Sequence, residues 1–161
     1  MIVRVRRHGS GGLQGSYLLV LRLEAPAVLP AGVLGAIEFP AGSYVYCGSA
    51  LGPGGVRARV RRHVKGAGAL HWHIDYLLRH ARVQTAWASY EPRRLECEWA
   101  AALGAHPEFS CPAPGFGASD CRCRAHLFHT RLSPARLESV LRRLPAAPRP
   151  AWPRGGLRDM L

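Results

Sequence analysis

At 161 residues, 48% hydrophobic and 20% charged, the chain is long enough for one buried core and too apolar for global disorder. Lysine and arginine number 22 against 10 acidic residues, a net charge of +12 that favours a polyanionic partner through counterion release. No apolar run is long enough to cross a bilayer, no signal-peptide stretch follows Arg4, Arg6 and Arg7, and the five cysteines are odd in number. The expected setting is therefore cytoplasmic, away from any membrane, without a disulfide framework. The basic residues are 21 arginines and Lys65, and there is no asparagine. A GC-rich genome explains arginine over lysine, but not the excess of base over acid.

Gly9 to Gly15 reads as a flexible entry, and Tyr17 to Leu23 as a buried strand ended by Pro26. Leu34 to Phe39 and Ser43 to Cys47 read as a strand pair joined by the Pro40-Ala41-Gly42 turn. Gly52-Pro53-Gly54-Gly55 opens a helix to about Val64, stopped by Gly66 and Gly68. A second helix is expected over Trp72 to Ala81, a strand over Val83 to Ser89, and a third helix from Pro92 to near Gly104. Ala105 to Asp120 is a proline- and glycine-rich loop, long enough to suggest a function. Cys123 to Thr130 reads as a last strand, and Ser133 caps a helix to about Leu144. The order describes one small α/β domain over residues 1–144 that begins with an antiparallel sheet, then a Pro/Arg-rich flexible tail over 145–161.

Tyr44 and Tyr46, two apart on a strand, share a face, and the glycine-rich helix start after Gly48 offers N–H groups to a phosphate. On the first helix Val56, Val60 and Val64 form the apolar stripe. Arg57, Arg61, Arg62 and Lys65 then fall to solvent, as the expected nucleic-acid contacts. Arg59 and His63, four apart, flank the stripe, where they either pack their stems or are held for chemistry. Glu96 falls inside the apolar face made by Leu95, Trp99, Ala102 and Leu103. A carboxylate there needs an arginine partner or a hard cation such as magnesium.

Gly15-Ser16-Tyr17, Tyr46-Cys47-Gly48, the Arg59–His63 pair and Glu96 together resemble the GIY-YIG nuclease superfamily. The likeness is nearest to an uncharacterised archaeal and bacterial branch sometimes fused to endonuclease III-like repair domains. It is carried by Gly42 to Gly52, by His71-Trp72-His73-Ile74-Asp75-Tyr76-Leu77, and by Asp120 to Phe128. The resemblance implies an α+β fold, a three-stranded antiparallel sheet with helices around it, here with an inserted hairpin strand. It also implies a metal-dependent DNA endonuclease, in repair or processing, with one Mg2+ or Mn2+. Tyr17 or Tyr46 would orient or deprotonate the attacking water, Arg59 would stabilise phosphoryl charge, His63 would assist proton movement or bind phosphate, and Glu96 would hold the metal. Tyr17 and Tyr46 are 29 positions apart, wider than usual in the superfamily, so Glu24 to Pro40 reads as an insertion. The alternatives are a non-catalytic nucleic-acid-binding module and a domain that recruits a repair enzyme.

Two clusters stand apart. His71, His73 and Asp75 could share a face only on a strand; on the expected helix His71 and Asp75 converge and His73 turns away, which favours a pair at the helix start. Cys121, Cys123 and His126 could hold structural zinc with Cys111 or Cys97 as fourth ligand. Cys-x-Cys-x-x-His is not a common zinc spacing, and cysteine is often buried for packing alone, so the sequence favours packing.

Overall fold

From Gly15 to Leu23 every residue but Arg22 is buried, with apolar side chains on both faces of the strand, which places that strand between two layers. The computed structural model describes residues 12–66, 68–152 and 157. Its elements in chain order are β1 (Gly15–Leu23), β2 (Ala27–Pro30), a 3-10 turn (Gly32–Leu34), β3 (Ala36–Phe39), β4 (Gly42–Ala50), α1 (Gly55–Lys65) and α2 (His73–Leu77). They continue as β5 (Arg82–Ser89), α3 (Glu96–Ala105), β6 (Phe109–Ser110), β7 (Leu127–Thr130), α4 (Pro134–Arg142) and β8 (Arg149–Pro150). The fold is α+β. A six-stranded antiparallel sheet runs β6-β7-β4-β1-β5-β8, and β2 and β3 form a separate hairpin.

The period of two divides the core. Tyr17, Leu19 and Leu21 of β1, with Tyr44 and Tyr46 of β4, face Val56 and Val60 of α1 and Ile74 and Leu77 of α2. Leu18 and Val20, with Val45, Cys47 and Trp87, face Leu95, Trp99 and Leu103 of α3 and Leu137 and Leu141 of α4. Each fully buried leucine stabilises by about 1.5–3 kcal/mol, so neither layer is dispensable. α1 stops at Gly66, whose φ of 79° leaves the helical region. Ser133 caps α4 by accepting from the Arg136 N–H, with Pro134 in the first turn.

Several sequence expectations shift. Residues 34–39 do not pair with 43–47: β3 pairs with β2, and β4 pairs with β1, in register from Gly15↔Ala50 to Leu23↔Gly42. The suspected insertion, residues 24–40, thus folds as its own hairpin. The second helix is one short turn, because Asp75 satisfies the backbone N–H groups at its start and the chain leaves it after Leu77 to enter β5. The third helix begins at Glu96 rather than Pro92. The segment after Leu144, expected loose, is held: β8 pairs with Trp87 and Ala88 of β5, and Trp152 and Leu157 pack on the core. The expected entry at residues 9–11 and the tail at 153–156 and 158–161 lie outside the described residues. Among the described residues, no helix is long and apolar enough to cross a membrane.

Candidate functional site

Tyr17 and Tyr46 come from antiparallel neighbours, β1 and β4, and point to the same face, with ring centroids 6.5 Å apart. The hydroxyl end of the Tyr17 ring lies against Gly48, where any Cβ would stand 2.4 Å from a ring carbon. That contact is the physical reason for glycine in the Tyr46-Cys47-Gly48 run. α1 crosses this face and brings His63 beneath the tyrosines, 5.7 Å from the Tyr17 ring and 6.2 Å from the Tyr46 ring. The Tyr17 hydroxyl and His63 Nε2 are hydrogen-bonded at 2.8 Å. Among the described residues, His63 Nδ1 is buried with no hydrogen-bond partner. Such an atom invites one.

Burial controls the protons here. It pushes the Tyr17 hydroxyl well above the ordinary tyrosine range, with Tyr46 adding and Arg59 and Arg62 opposing. Burial likewise raises Tyr46. It also lowers His63 to about 4; Asp75 opposes this, while Arg62 and Arg59 lower it further. At neutral pH the pocket therefore holds two protonated phenols and a neutral imidazole.

Arg59 and Arg62 stack on the Trp72 ring, their guanidinium carbons 4.4 and 4.1 Å from its centroid. Arg62 is not the solvent-facing contact the helical phase suggested: it forms a bidentate pair with Asp75, both bonds 2.9 Å. Burial alone would raise the Asp75 carboxyl, but bonds from Arg62 and from the Trp72 and His71 N–H groups hold it below the usual carboxylate range. His71 meets Asp75 through its backbone, not its imidazole. His73 turns elsewhere and accepts from the Gly117 N–H at 3.0 Å. The His71/His73/Asp75 run is thus a helix start, a cation–π platform and a loop anchor. Trp72, unassigned from sequence, is its centre; an aromatic among histidines beside an arginine-rich helix was the available signal. Arg57, Arg61 and Lys65 are exposed on the outer side of α1, four residues apart.

Glu96 is buried as its helical phase requires, but not with the tyrosines. It accepts from Arg94 Nε at 2.7 Å and from the Ser16 hydroxyl at 3.4 Å, and Ser16 alternates with Tyr17 on β1, facing the α3 side. On that side the structure gathers Cys97, Cys121, Cys123 and His126, whose ligand atoms all lie within 4.8 Å of one another. Cys97 of α3, not Cys111, is the fourth member. Helical position could not choose between them, because loop 111–126 decides what meets α3.

No curated protein and no solved structure matches the chain. Residues 16–147, which contain both the tyrosine pocket and the cysteine cluster, match one family, and the chain belongs to it: the family described as Domain of unknown function DUF123.

Proposed function

We propose that the protein binds DNA along α1 and hydrolyses its phosphodiester backbone at the Tyr17–Tyr46–Arg59–His63 pocket, the residues the GIY-YIG resemblance singles out, with His63 rather than a metal ion driving the proton transfer. The observation that carries this reading is the 2.8 Å Tyr17–His63 bond, on an imidazole that burial keeps neutral and whose Nδ1 lacks a partner. The phenols are too weakly acidic to serve as bases themselves. The proton acceptor is instead His63: as water attacks phosphorus, its proton passes through the Tyr17 hydroxyl to Nε2. The new P–O bond forms as the ester P–O bond breaks, and the proton returns to the departing oxygen. His63 in this tautomer carries its hydrogen on Nδ1, a donor for a phosphate oxygen. Arg59, held on Trp72 and paired with no carboxylate among the described residues, supplies a planar guanidinium for charge on the phosphoryl group.

The pocket does not fit a magnesium or manganese ion. Asp75, the carboxylate on this face, has its oxygens committed to Arg62 and two backbone N–H groups, and Glu96 is engaged across the sheet by Arg94 and Ser16. No step is therefore assigned to such an ion. A second reading, a non-catalytic DNA-binding module, is favoured by the burial of Tyr17 and His63 to 3% and 2% exposure, since a phosphate reaches them only if Arg59 and Trp72 move.

The deciding experiment incubates the protein with branched, nicked, single- and double-stranded DNA, with magnesium, with manganese and with EDTA. Cleavage by the wild type that is lost in His63→Gln supports the enzyme. Salt-sensitive binding with no cleavage of any substrate leaves only the module.

A further inference from the structure

We propose that Cys97, Cys121, Cys123 and His126 form a closed, four-ligand structural zinc site that fastens the 111–126 loop to α3 and β7. The chemistry of the set is soft: three thiols and one imidazole, the donors that select zinc over magnesium or calcium. The distances agree. A tetrahedral zinc with Zn–S of about 2.3 Å and Zn–N of about 2.0 Å has N···S edges of roughly 3.5 Å and S···S edges of roughly 3.8 Å. His126 Nε2 lies 3.5 Å from Cys121 Sγ and 3.8 Å from Cys97 Sγ, and all four donors fall within 4.8 Å. A packing role for cysteine explains one buried thiol, as at Cys47, but not four metal donors gathered within 4.8 Å of one another, with both His126–thiol distances near a tetrahedral edge.

The backbone holds the set independently of any ion. His126 is fixed at both ends of its peptide: its N–H donates to Phe116 O at 2.7 Å and its carbonyl accepts from the Cys47 N–H at 2.9 Å. Cys97 sits in the first turn of α3. Cys121 and Cys123 come from a loop with no regular structure of its own, where a metal cross-link has the most to fix. Four protein ligands leave no open position, so the ion is structural rather than catalytic. The same loop serves the opposite face of the sheet: Phe116 packs on Tyr46, and a Cβ at Gly117 would stand 3.0 Å from the Tyr46 ring and 3.1 Å from His126 Cβ. Zinc would thus set the position of the loop that walls the tyrosine pocket.

The test uses the full chain, purified reduced and without chelator. Metal analysis should find about one zinc per chain, and a metal-free preparation should take up one equivalent from added zinc. Cobalt put in its place should give the visible absorption of tetrahedral thiolate coordination. Of the five thiols only Cys111 should react with a thiol reagent in the native protein, Cys47 being buried, and a chelator or mercurial should release three more. Cys121→Ser and Cys97→Ser should lose the metal, whereas Cys111→Ser should keep it; protection measured on the wild type does not depend on those variants folding. The proposal is overturned if the wild type neither contains nor takes up zinc, if iron is the resident metal, or if Cys97→Ser with Cys121→Ser retains stoichiometric zinc.

Discussion

One sheet separates two unlike chemistries. On the α1–α2 side, α1 contains no acidic residue at all, and its cations either stack on Trp72, meet Asp75 or project to solvent. On the α3–α4 side four cations are answered: Arg93 by Glu91 and Glu98, Arg94 by Glu96 and Asp120, Arg136 by Glu108, Arg142 by Glu138; Arg124, Arg131 and Arg143 make no ion pair among the described residues. α1 sets Arg57, Arg61 and Lys65, unpaired among the described residues, beside the buried tyrosine–histidine pair with no acid on the helix, while the other face holds the soft donors and most of the ion pairs. On the proposed reading a polyanion meets the first face, along the stripe of cations on α1.

The largest effect that would test this division is on cleavage. Tyr17→Phe and His63→Gln should each slow single-turnover hydrolysis by ~10²–10⁴-fold, the usual weight of a general acid–base group, while salt-dependent DNA binding is retained. Arg59→Lys should also be poor, because a point charge cannot imitate the guanidinium fork. His63 must be neutral to accept a proton, and burial places its pKa at about 4. kcat/KM should accordingly stay level as pH falls through 6.5 and decline only near 4. A limb centred near 6.5 would mean His63 is solvated when it acts, and the buried pair would lose its role.

Next in size is the ion pair beneath Trp72. Arg62→Ala leaves the buried Asp75 charge without its main partner and should cost about 3 kcal/mol in urea or thermal unfolding. Arg136→Ala, which breaks an exposed pair with Glu108, should cost within about 1 kcal/mol. The sign with pH is fixed. Asp75 has its pKa lowered on folding, so its stabilisation is present above the ordinary carboxylate range and is lost as pH falls through the lower folded value. The Arg62→Ala deficit should thus be full at pH 7 and shrink in acid. Equal deficits at pH 7 and pH 3 would remove the charge from the explanation.

The division has one narrow bridge, Gly117, at φ 70° between Tyr46 and His126. Gly117→Ala should cost about 2 kcal/mol from left-handed strain, with added crowding of both neighbours, and should weaken zinc retention and cleavage together. Gly115→Ala, at φ 86° but facing only a Leu34 methyl, carries similar strain without touching either site. Gly115→Ala should lower stability and leave both activities in place.

How much of this was legible beforehand depended on range. β1, β4, α1 and β5 announce themselves through runs of apolar residues with a clean period, and Glu96's burial follows from helical phase alone. Arg59 and His63 could be paired because an i, i+4 spacing is a local rule, but Tyr17 and Tyr46 joined them only through the GIY-YIG resemblance. Which face Glu96 joins depends instead on Ser16 and Arg94, 80 and 2 residues away in opposite senses of locality. Arg62 read as solvent-facing because its partner, Asp75, lies on another helix. Cys97 could not be preferred to Cys111 until the loop's path was known, and β8 is too short to carry any periodic signal.

The smallest effects belong to the outer stripe of α1. Arg57, Arg61 and Lys65 are exposed at four-residue intervals and make no ion pair among the described residues, so each is available to one phosphate. Each phosphate contact releases a condensed counterion and so steepens the fall of log affinity with log salt by about 0.9 on duplex DNA. Single changes to Gln should therefore weaken binding only a few-fold, whatever the DNA sequence, and each should flatten that slope by about 0.9. The same change at Arg136 should leave the slope alone, because its charge is already answered by Glu108 on the other face. Titrations of the three single variants, the triple variant and Arg136→Gln across a range of salt measure this directly. A triple variant with the wild-type slope would move the DNA off α1, and a loss carried by Arg136 would reverse which face of the sheet the polyanion meets.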